Sequence, residues 1–315
     1  MQPMSLFVVM NAGSGHGDTQ IAIEIVREKL AQSGRQYELF LVQNPQQLPL
    51  LAGRAASKAR TFNGAVIGAG GDGTLNAVAR AAYAFERPFG ALPLGTFNYF
   101  GRNHHIPEDP ATAMDAVLRG VPHATQVGQI NGQLILVNAS LGLYPKLLED
   151  REAYKQQFGR NRFVALAASV ITFLRDHRAL QLQIERDGVV KTLQTSTLFV
   201  GNNALQLEQI GIDEADAVPG QLAAIAVLPA GKSAMMTLLL RGALGSLGAS
   251  ENIESFPFTR LIVTPRLSYG PRRIKVAIDG EIHWFRVPLT FEVAPRPLQL
   301  LMPPELASVS KGLSQ

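Results

Sequence analysis

The stretch Gly64-Ala65-Val66-Ile67-Gly68-Ala69-Gly70-Gly71-Asp72-Gly73-Thr74-Leu75 decides how the chain is read. Residues 64–67 form a short apolar run with β-branched side chains, as a strand buried on both faces requires. Residues 68–74 are a glycine-rich turn, and from Leu75 to about Phe85 the apolar residues recur with helical period. Strand, glycine turn and helix in that order make half of a βαβ unit. The same order repeats on either side. Residues 6–10 are a second buried run, followed by Asn11-Ala12-Gly13-Ser14-Gly15-His16-Gly17-Asp18 and a helix over 21–32. Residues 37–42 read as a strand and 48–60 as a helix. Residues 89–93 form another strand, followed by Pro93-Leu94-Gly95-Thr96-Phe97-Asn98 and a helix over 110–119. Such repeats predict a parallel sheet with helices on both faces.

Beyond about residue 123 the period changes. Residues 180–185 alternate strictly, turn at Asp187-Gly188 and resume over 189–195. Asp-Gly supplies the positive φ angles of a type I′ hairpin turn. Residues 275–278, Asp279-Gly280 and 282–287 repeat the device, and 221–228 and 288–294 read as further strands. Helices are predicted at 161–176 and 233–247. The expected architecture is an α/β domain over 1–123, a mostly antiparallel β domain over 124–302, and a polar tail over 303–315.

Composition sets the outer limits. A chain of 315 residues suits about two domains. With 46% hydrophobic and 17% charged residues it can fill an ordinary core, which excludes a disordered chain. The absence of cysteine removes disulfide scaffolds, thiolate metal sites and cysteine nucleophiles. A net charge of +4, from 29 basic and 25 acidic residues, is too small and dispersed to predict a nucleic-acid partner. The first residues carry no basic flank, and 6–10 is too short for a signal-peptide core. The uncharged stretch between Arg162 and Arg175 falls short of the roughly 20 residues that cross a bilayer. A soluble or peripheral protein in the cytoplasm, on the inner face of the membrane if peripheral, is expected.

Three glycine-rich turns at the carboxyl edge of one parallel sheet mark the crevice where ligands bind. Glycine lets backbone N–H groups approach phosphate oxygens, and helix N-termini add positive partial charge. One such turn reads as a turn; three together read as a phosphate or nucleotide site. Gly68, Gly70 and Gly73 also satisfy the dinucleotide fingerprint. That turn follows the third strand and not the first, however. No acidic residue closes a strand about 20 residues later, Glu86 lying in a polar turn before Pro88. Both features weigh against a nicotinamide oxidoreductase.

Asn11-x-x-Ser14-Gly15, Gly70-Gly71-Asp72-Gly73-Thr74 and Pro93-Leu94-Gly95-Thr96-x-Asn98-x-Phe100-x-Arg102, in that order, resemble the diacylglycerol kinase catalytic domain. That family includes bacterial lipid kinases and sphingosine kinases. Asp279-Gly280-Glu281 carries the likeness close to the end of the chain. The Gly-Gly-Asp-Gly-Thr string alone is shared with NAD kinases. The resemblance implies an ATP-binding α/β domain, a β-rich lipid-binding domain and a cleft between them. It implies ATP- and Mg2+-dependent transfer of the γ-phosphoryl group to a hydroxyl of a membrane lipid, diacylglycerol or a related one. Asn11, Ser14, Gly15, Gly70, Gly71, Asp72, Gly73 and Thr74 would cradle the ATP phosphates, and Thr96 and Asn98 would contact the nucleotide. Asp72, a carboxylate within a phosphate loop, would serve Mg2+; the other reading is a helix N-cap. Glu281 would be the general base for the lipid hydroxyl. The implied partner is a lipid at the membrane surface, and a homodimer is compatible.

The chain departs from the family pattern in places. Tyr99 stands where the family usually has an aspartate. Val218-Pro219-Gly220-Gln221-Leu222 stands where Asp-Asp-Gly usually marks a structural Mg2+ site, which implies that this site is absent. Glu208, Asp213 and Asp216 are the nearby acids, and Val42-Gln43 replaces a frequent threonine. These departures leave open a non-catalytic nucleotide- or lipid-binding homologue, and less readily an NAD kinase. His16 and Arg102 are each within sequence reach of a phosphate loop, whereas His104-His105 read as a solvated or capping pair. The segments 161–176 and 233–247 either cover the β core or dock on an anionic leaflet.

Overall fold

A computed structural model describes residues 3–12, 17–96, 98–142, 145, 179–202, 220–229, 252–266 and 273–305. The chain divides into two compact units, residues 1–126 with 295–315, and residues 127–294.

In the first unit β1 (Leu6–Asn11), β2 (Tyr37–Val42), β3 (Ala65–Gly70) and β4 (Phe89–Pro93) lie parallel in the order β2-β1-β3-β4. Helices α1 (Gly17–Gln32), α2 (Leu48–Thr61) and α3 (Asp72–Ala84) join them, and α4 (Tyr99–Asn103) and α5 (Pro110–Arg119) follow β4. Strand alternation sorts the side chains between two faces. Leu6, Val8, Met10, Ile67 and Ala69 pack with Val26 and Leu30 of α1 and with Met114 and Val117 of α5. On the other face Phe7 stacks on Phe62 at 6.1 Å, beside an α2 that buries only alanines: Ala52, Ala55, Ala56 and Ala59. Gly68 also belongs to this face. A Cβ there would lie 3.2 Å from Val78 and 3.3 Å from Leu75 and Phe89, so α3 packs tightly on β3 because residue 68 has no side chain. The parallel α/β domain is therefore as expected, with β3 running on to Gly70 and α3 starting at Asp72. The glycines at the end of β3 are held in the sheet by pairing, Gly70 with Pro93.

The boundaries differ from the expected 123/124 and 302/303. Strand β18 (Leu298–Met302) lies parallel beside β4, and β5 (Val121–Thr125) pairs antiparallel with β18. Both complete the first sheet, so the divisions fall at 126/127 and 294/295. Burial of Leu298, Leu300 and Leu301 holds β18 there, and Leu301 joins the α1–α5 core. Within the expected tail Pro303 is buried and Glu305 pairs with Arg119 at 2.9 Å; residues 306–315 lie outside the described residues.

The second unit is antiparallel throughout its described strands. One sheet contains β6 (Gly128–Ile130), β7 (Gln133–Ile135), β9 (Leu180–Arg186), β10 (Val189–Thr195), β14 (Arg260–Pro265) and β17 (Leu289–Val293), in the order β10-β9-β14-β17-β6-β7. The other contains β8 (Asn138–Gly142), β11 (Thr197–Gly201), β12 (Leu222–Val227), β13 (Ile253–Phe258), β15 (Arg273–Ile278) and β16 (Glu281–Arg286), in the order β13-β12-β11-β8-β15-β16. One core that includes Leu182, Leu198, Val263, Val276, Ile278 and Phe291 is drawn from both sheets. The predicted turns Asp187-Gly188 and Asp279-Gly280 have positive φ at both residues, 52° and 77°, and 49° and 86°. A third turn of this kind, Asn131-Gly132, joins β6 to β7 with φ of 48° and 80°. The predicted helices 161–176 and 233–247 lie outside the described residues. Among the described residues, no helix is long and apolar enough to cross a membrane.

Candidate active site

In the first unit the parallel strands bring Asn11, Gly70 and Pro93, the last residues of β1, β3 and β4, to one edge. The loops that follow β3 and β4 touch there. A Cβ on Gly95 would lie 2.6 Å from the Cα of Gly71, and a Cβ on Gly70 would lie 2.7 Å from the Oγ1 of Thr74. Backbone meets backbone at this point only because both loops are glycine. The Leu94 N–H donates to the Gly70 carbonyl at 2.9 Å and ties the loops together. Helix α3 begins at this contact with Gly71 as its N-cap, and no side chain caps it. A helix start without a side-chain cap leaves backbone N–H groups and positive partial charge for an external anion. Thirteen residues of helix stand behind it. Gly71, Gly73 and Thr74 of the predicted set are thus gathered, and Ser14 and Gly15 lie outside the described residues. Thr96 is exposed at the same edge.

Asp72 is the first residue of α3. Its Oδ1 accepts the Phe100 N–H of α4 at 3.2 Å, which fixes the carboxylate between the two loops. The alternative role of Asp72 as the N-cap is not adopted, since Gly71 is the cap. Asn98 is buried in the left-handed conformation with φ of 50°, and its Oδ1 accepts the Gly95 N–H at 2.8 Å. It holds the second loop closed. Arg102 bonds Glu108 at 2.9 Å, and that guanidinium holds the Glu108 carboxyl below the usual carboxylate range. Tyr99, in place of the usual aspartate, is exposed. Of the solvated and capping readings, His104 takes the capping one, as the C-cap of α4. It ends α4 with its ring 4.6 Å from Phe100, and burial beside His105 and His123 lowers its pKa to about 4.

The start of α3 suits a phosphate group, because its N-cap is glycine and no side chain occupies its first backbone N–H groups. Among the described residues no three His, Asp or Glu side chains converge as a metal cage. One carboxylate, Asp72, beside a phosphate cradle suits a Mg2+ ion that arrives with the phosphates and keeps much of its water. Glu208, Asp213, Asp216, Val218 and Pro219 lie outside the described residues.

In the second unit Glu281 opens β16, directly after the Asp279-Gly280 turn. Asp279 is buried, unlike the chemically equal turn residue Asp187, whose side chain is 77% exposed. Its carboxylate accepts the N–H groups of Leu136, Val137 and Asn138 at 3.0, 2.8 and 3.0 Å. Its own N–H donates to the Asn138 carbonyl at 2.8 Å. The turn is thus bound to the chain entering β8, and Glu281 is fixed two residues from that anchor. Glu281 is half-exposed, with its Oε2 3.8 Å from the Nε2 of His283, and both side chains lie on the same face of β16. The anchoring role of Asp279 and the His283 neighbour are additions to the sequence reading. A second Asp-Gly turn without a glutamate was the one available hint.

The chain is similar to several known proteins. Residues 5–130 match the family described as the diacylglycerol kinase catalytic domain. A diacylglycerol kinase of Bacillus subtilis (strain 168) is 32% identical over 174 residues, covering 52% of this chain and 56% of that protein. A diacylglycerol kinase of Staphylococcus aureus (strain bovine RF122 / ET3-1) is 28% identical over 199 residues, covering 62% and 61%. The matched region spans about three-fifths of these relatives. A crystal structure of a diacylglycerol kinase from Bacillus anthracis str. Sterne superposes with a TM-score of 0.67 at 16% identity, covering 96% of this chain and 98% of that one. Another crystal structure from that strain gives 0.74 at 18% identity over the same shares. At such identity the superpositions speak for the fold alone. Over residues 5–130, the chain is thus similar to the diacylglycerol kinase catalytic domain family.

Proposed function

We propose that the chain is a lipid kinase that transfers the γ-phosphoryl group of ATP to a hydroxyl of a membrane lipid, diacylglycerol or a related one. The observation that carries the reading is the uncapped N-terminus of α3, seated in a two-glycine cradle with Asp72 at its first position. Backbone N–H groups at Gly71–Thr74 bind the phosphates, and Asp72, held by the Phe100 N–H, is the residue that would hold Mg2+. A bound Mg2+ ion supplies neutralisation of the charge on the transferring group. Glu281 accepts the proton of the lipid hydroxyl as its oxygen bonds to phosphorus and the bond to ADP breaks. Positioning and charge compensation supply most of the rate in such transfers.

The test is movement of radiolabel from γ-labelled ATP into extracted lipids. Transfer by the wild type, and its loss in Glu281→Gln with nucleotide binding retained, supports the reading. Absence of transfer into every lipid pool by folded protein overturns it. A second reading, nucleotide binding without turnover, is motivated by the exposed Tyr99 at a position usually acidic. ATP binding without label transfer in the same assay selects it.

A further inference from the structure

The hairpin that carries Glu281 presents a different surface on its other face. Pairing sets Arg273 opposite Arg286, Lys275 opposite Trp284 and Ala277 opposite Ile282. Directly opposed residues share a face, so three cations and one indole occupy one face, while Glu281, His283 and Phe285 occupy the other. Arg273 and Arg286 are exposed. Trp284 is 62% exposed, the most exposed large hydrophobic side chain among the described residues, and the Nζ of Lys275 lies 5.2 Å from its ring centre. The hairpin has two carboxylates, Asp279 and Glu281. Asp279 is bound to backbone N–H groups and Glu281 is on the opposite face. Strand β16 stands at the edge of its sheet.

Two of these features cost stability in water. Like charges directly opposed across strands repel, and an exposed indole leaves a large apolar surface wet. An anionic lipid surface relieves both. Guanidinium groups pair with lipid phosphates, and an indole has an apolar body with one polar N–H, the combination that settles at the membrane–water interface. We propose that the Arg273–Lys275–Trp284–Arg286 face of this hairpin docks on an anionic lipid bilayer. The inference extends the proposed function, since a docked hairpin holds Glu281 beside the leaflet that supplies its lipid substrate. Its test reads binding and not turnover, so each fails separately.

Trp284 is the one tryptophan of the chain, and its emission therefore reports on this face alone. The full chain is titrated with vesicles of phosphatidylglycerol and, separately, of phosphatidylcholine. The expected result is a saturable blue shift with phosphatidylglycerol, reversed by raised salt, and none with phosphatidylcholine. Each cation near an anionic surface contributes about fivefold in partitioning, so R273Q/K275Q/R286Q weakens binding roughly a hundredfold. If that triple variant loses its far-UV circular dichroism, Arg286→Gln alone carries the test with about a fivefold loss. Co-sedimentation without a change in Trp284 emission overturns the proposal, because another surface is then in contact. No co-sedimentation, an equal shift on neutral vesicles, or a lipid-free shift that grows with protein concentration also overturns it; the last assigns the face to a second copy.

Discussion

Replacing Asp279 by alanine removes one carboxylate that serves three backbone N–H groups in a position 8% exposed. Hydrogen bonds to a charged acceptor contribute about 1.5–3 kcal/mol each, and a buried N–H left without a partner costs about 1–3 kcal/mol. The three are not additive, and water entering from the exposed rim recovers part, so the second unit should lose about 3–4 kcal/mol. Alanine also tolerates the φ of 49° less well than aspartate. Asp279→Asn is the graded control. It keeps the left-handed conformation and one oxygen for Val137 and Asn138, but it loses the acceptor for Leu136, at about 1–2 kcal/mol. Urea unfolding followed by circular dichroism reads the stability, with the alanine variant shifted by roughly 1 M or more. Hydrogen exchange reads the cause, as the N–H groups of Leu136, Val137 and Asn138 should lose protection together. A loss below about 1 kcal/mol in Asp279→Ala, with those three still protected, refutes the anchor and the positioning of Glu281 by it.

Other predictions concern the first unit. Gly95→Ala places a Cβ 2.6 Å from the Cα of Gly71 and should cost about 1–3 kcal/mol and weaken nucleotide binding; a Cβ on Gly71 meets Gly95 at an ordinary 3.6 Å, so Gly71→Ala should cost under about 1 kcal/mol. Thermal melts of the two separate packing from composition. Asp72→Asn keeps an oxygen for the Phe100 N–H, so melting should hold while transfer falls by about a hundredfold or more in a label-transfer assay. His104 is held to about pKa 4 in the folded chain, below its ordinary value of 6.5. The unfolded chain therefore takes up this proton first as pH falls, and stability declines across the window from about 6.5 down to about 4. Between pH 7 and pH 5 the decline is at most about 2 kcal/mol, and denaturation of His104→Gln at both pH values should show it removed.

Local regularity made the fold of the first unit readable. Strands 37–42 and 89–93 and the helix over 110–119 were expected with the boundaries they have, because each carries its own period and stop signals. Strand β18 carries no such signal for its place, since its partners β4 and β5 lie far away in sequence and pairing is decided by the gap it fills. The candidate site divides in the same way. Glycine turns after strands located Gly70–Thr74 and Gly95. The tie from Phe100 to Asp72 depends on a five-residue helix too short to show a period, and the roles of Asn98 and Asp279 depend on burial. Asp187 and Asp279 are the same residue in the same turn, and only contact with Leu136–Asn138 separates them.

The most direct test of the account is mass spectrometry of a panel of neutral and sphingoid lipids incubated with the protein, ATP and Mg2+. The account predicts that one hydroxyl-bearing lipid class gains a phosphate with wild-type protein and that Glu281→Gln, folded and still binding ATP, produces none. A Glu281→Gln variant that phosphorylates the same lipid at the wild-type rate, or a folded wild type that phosphorylates no lipid, contradicts it.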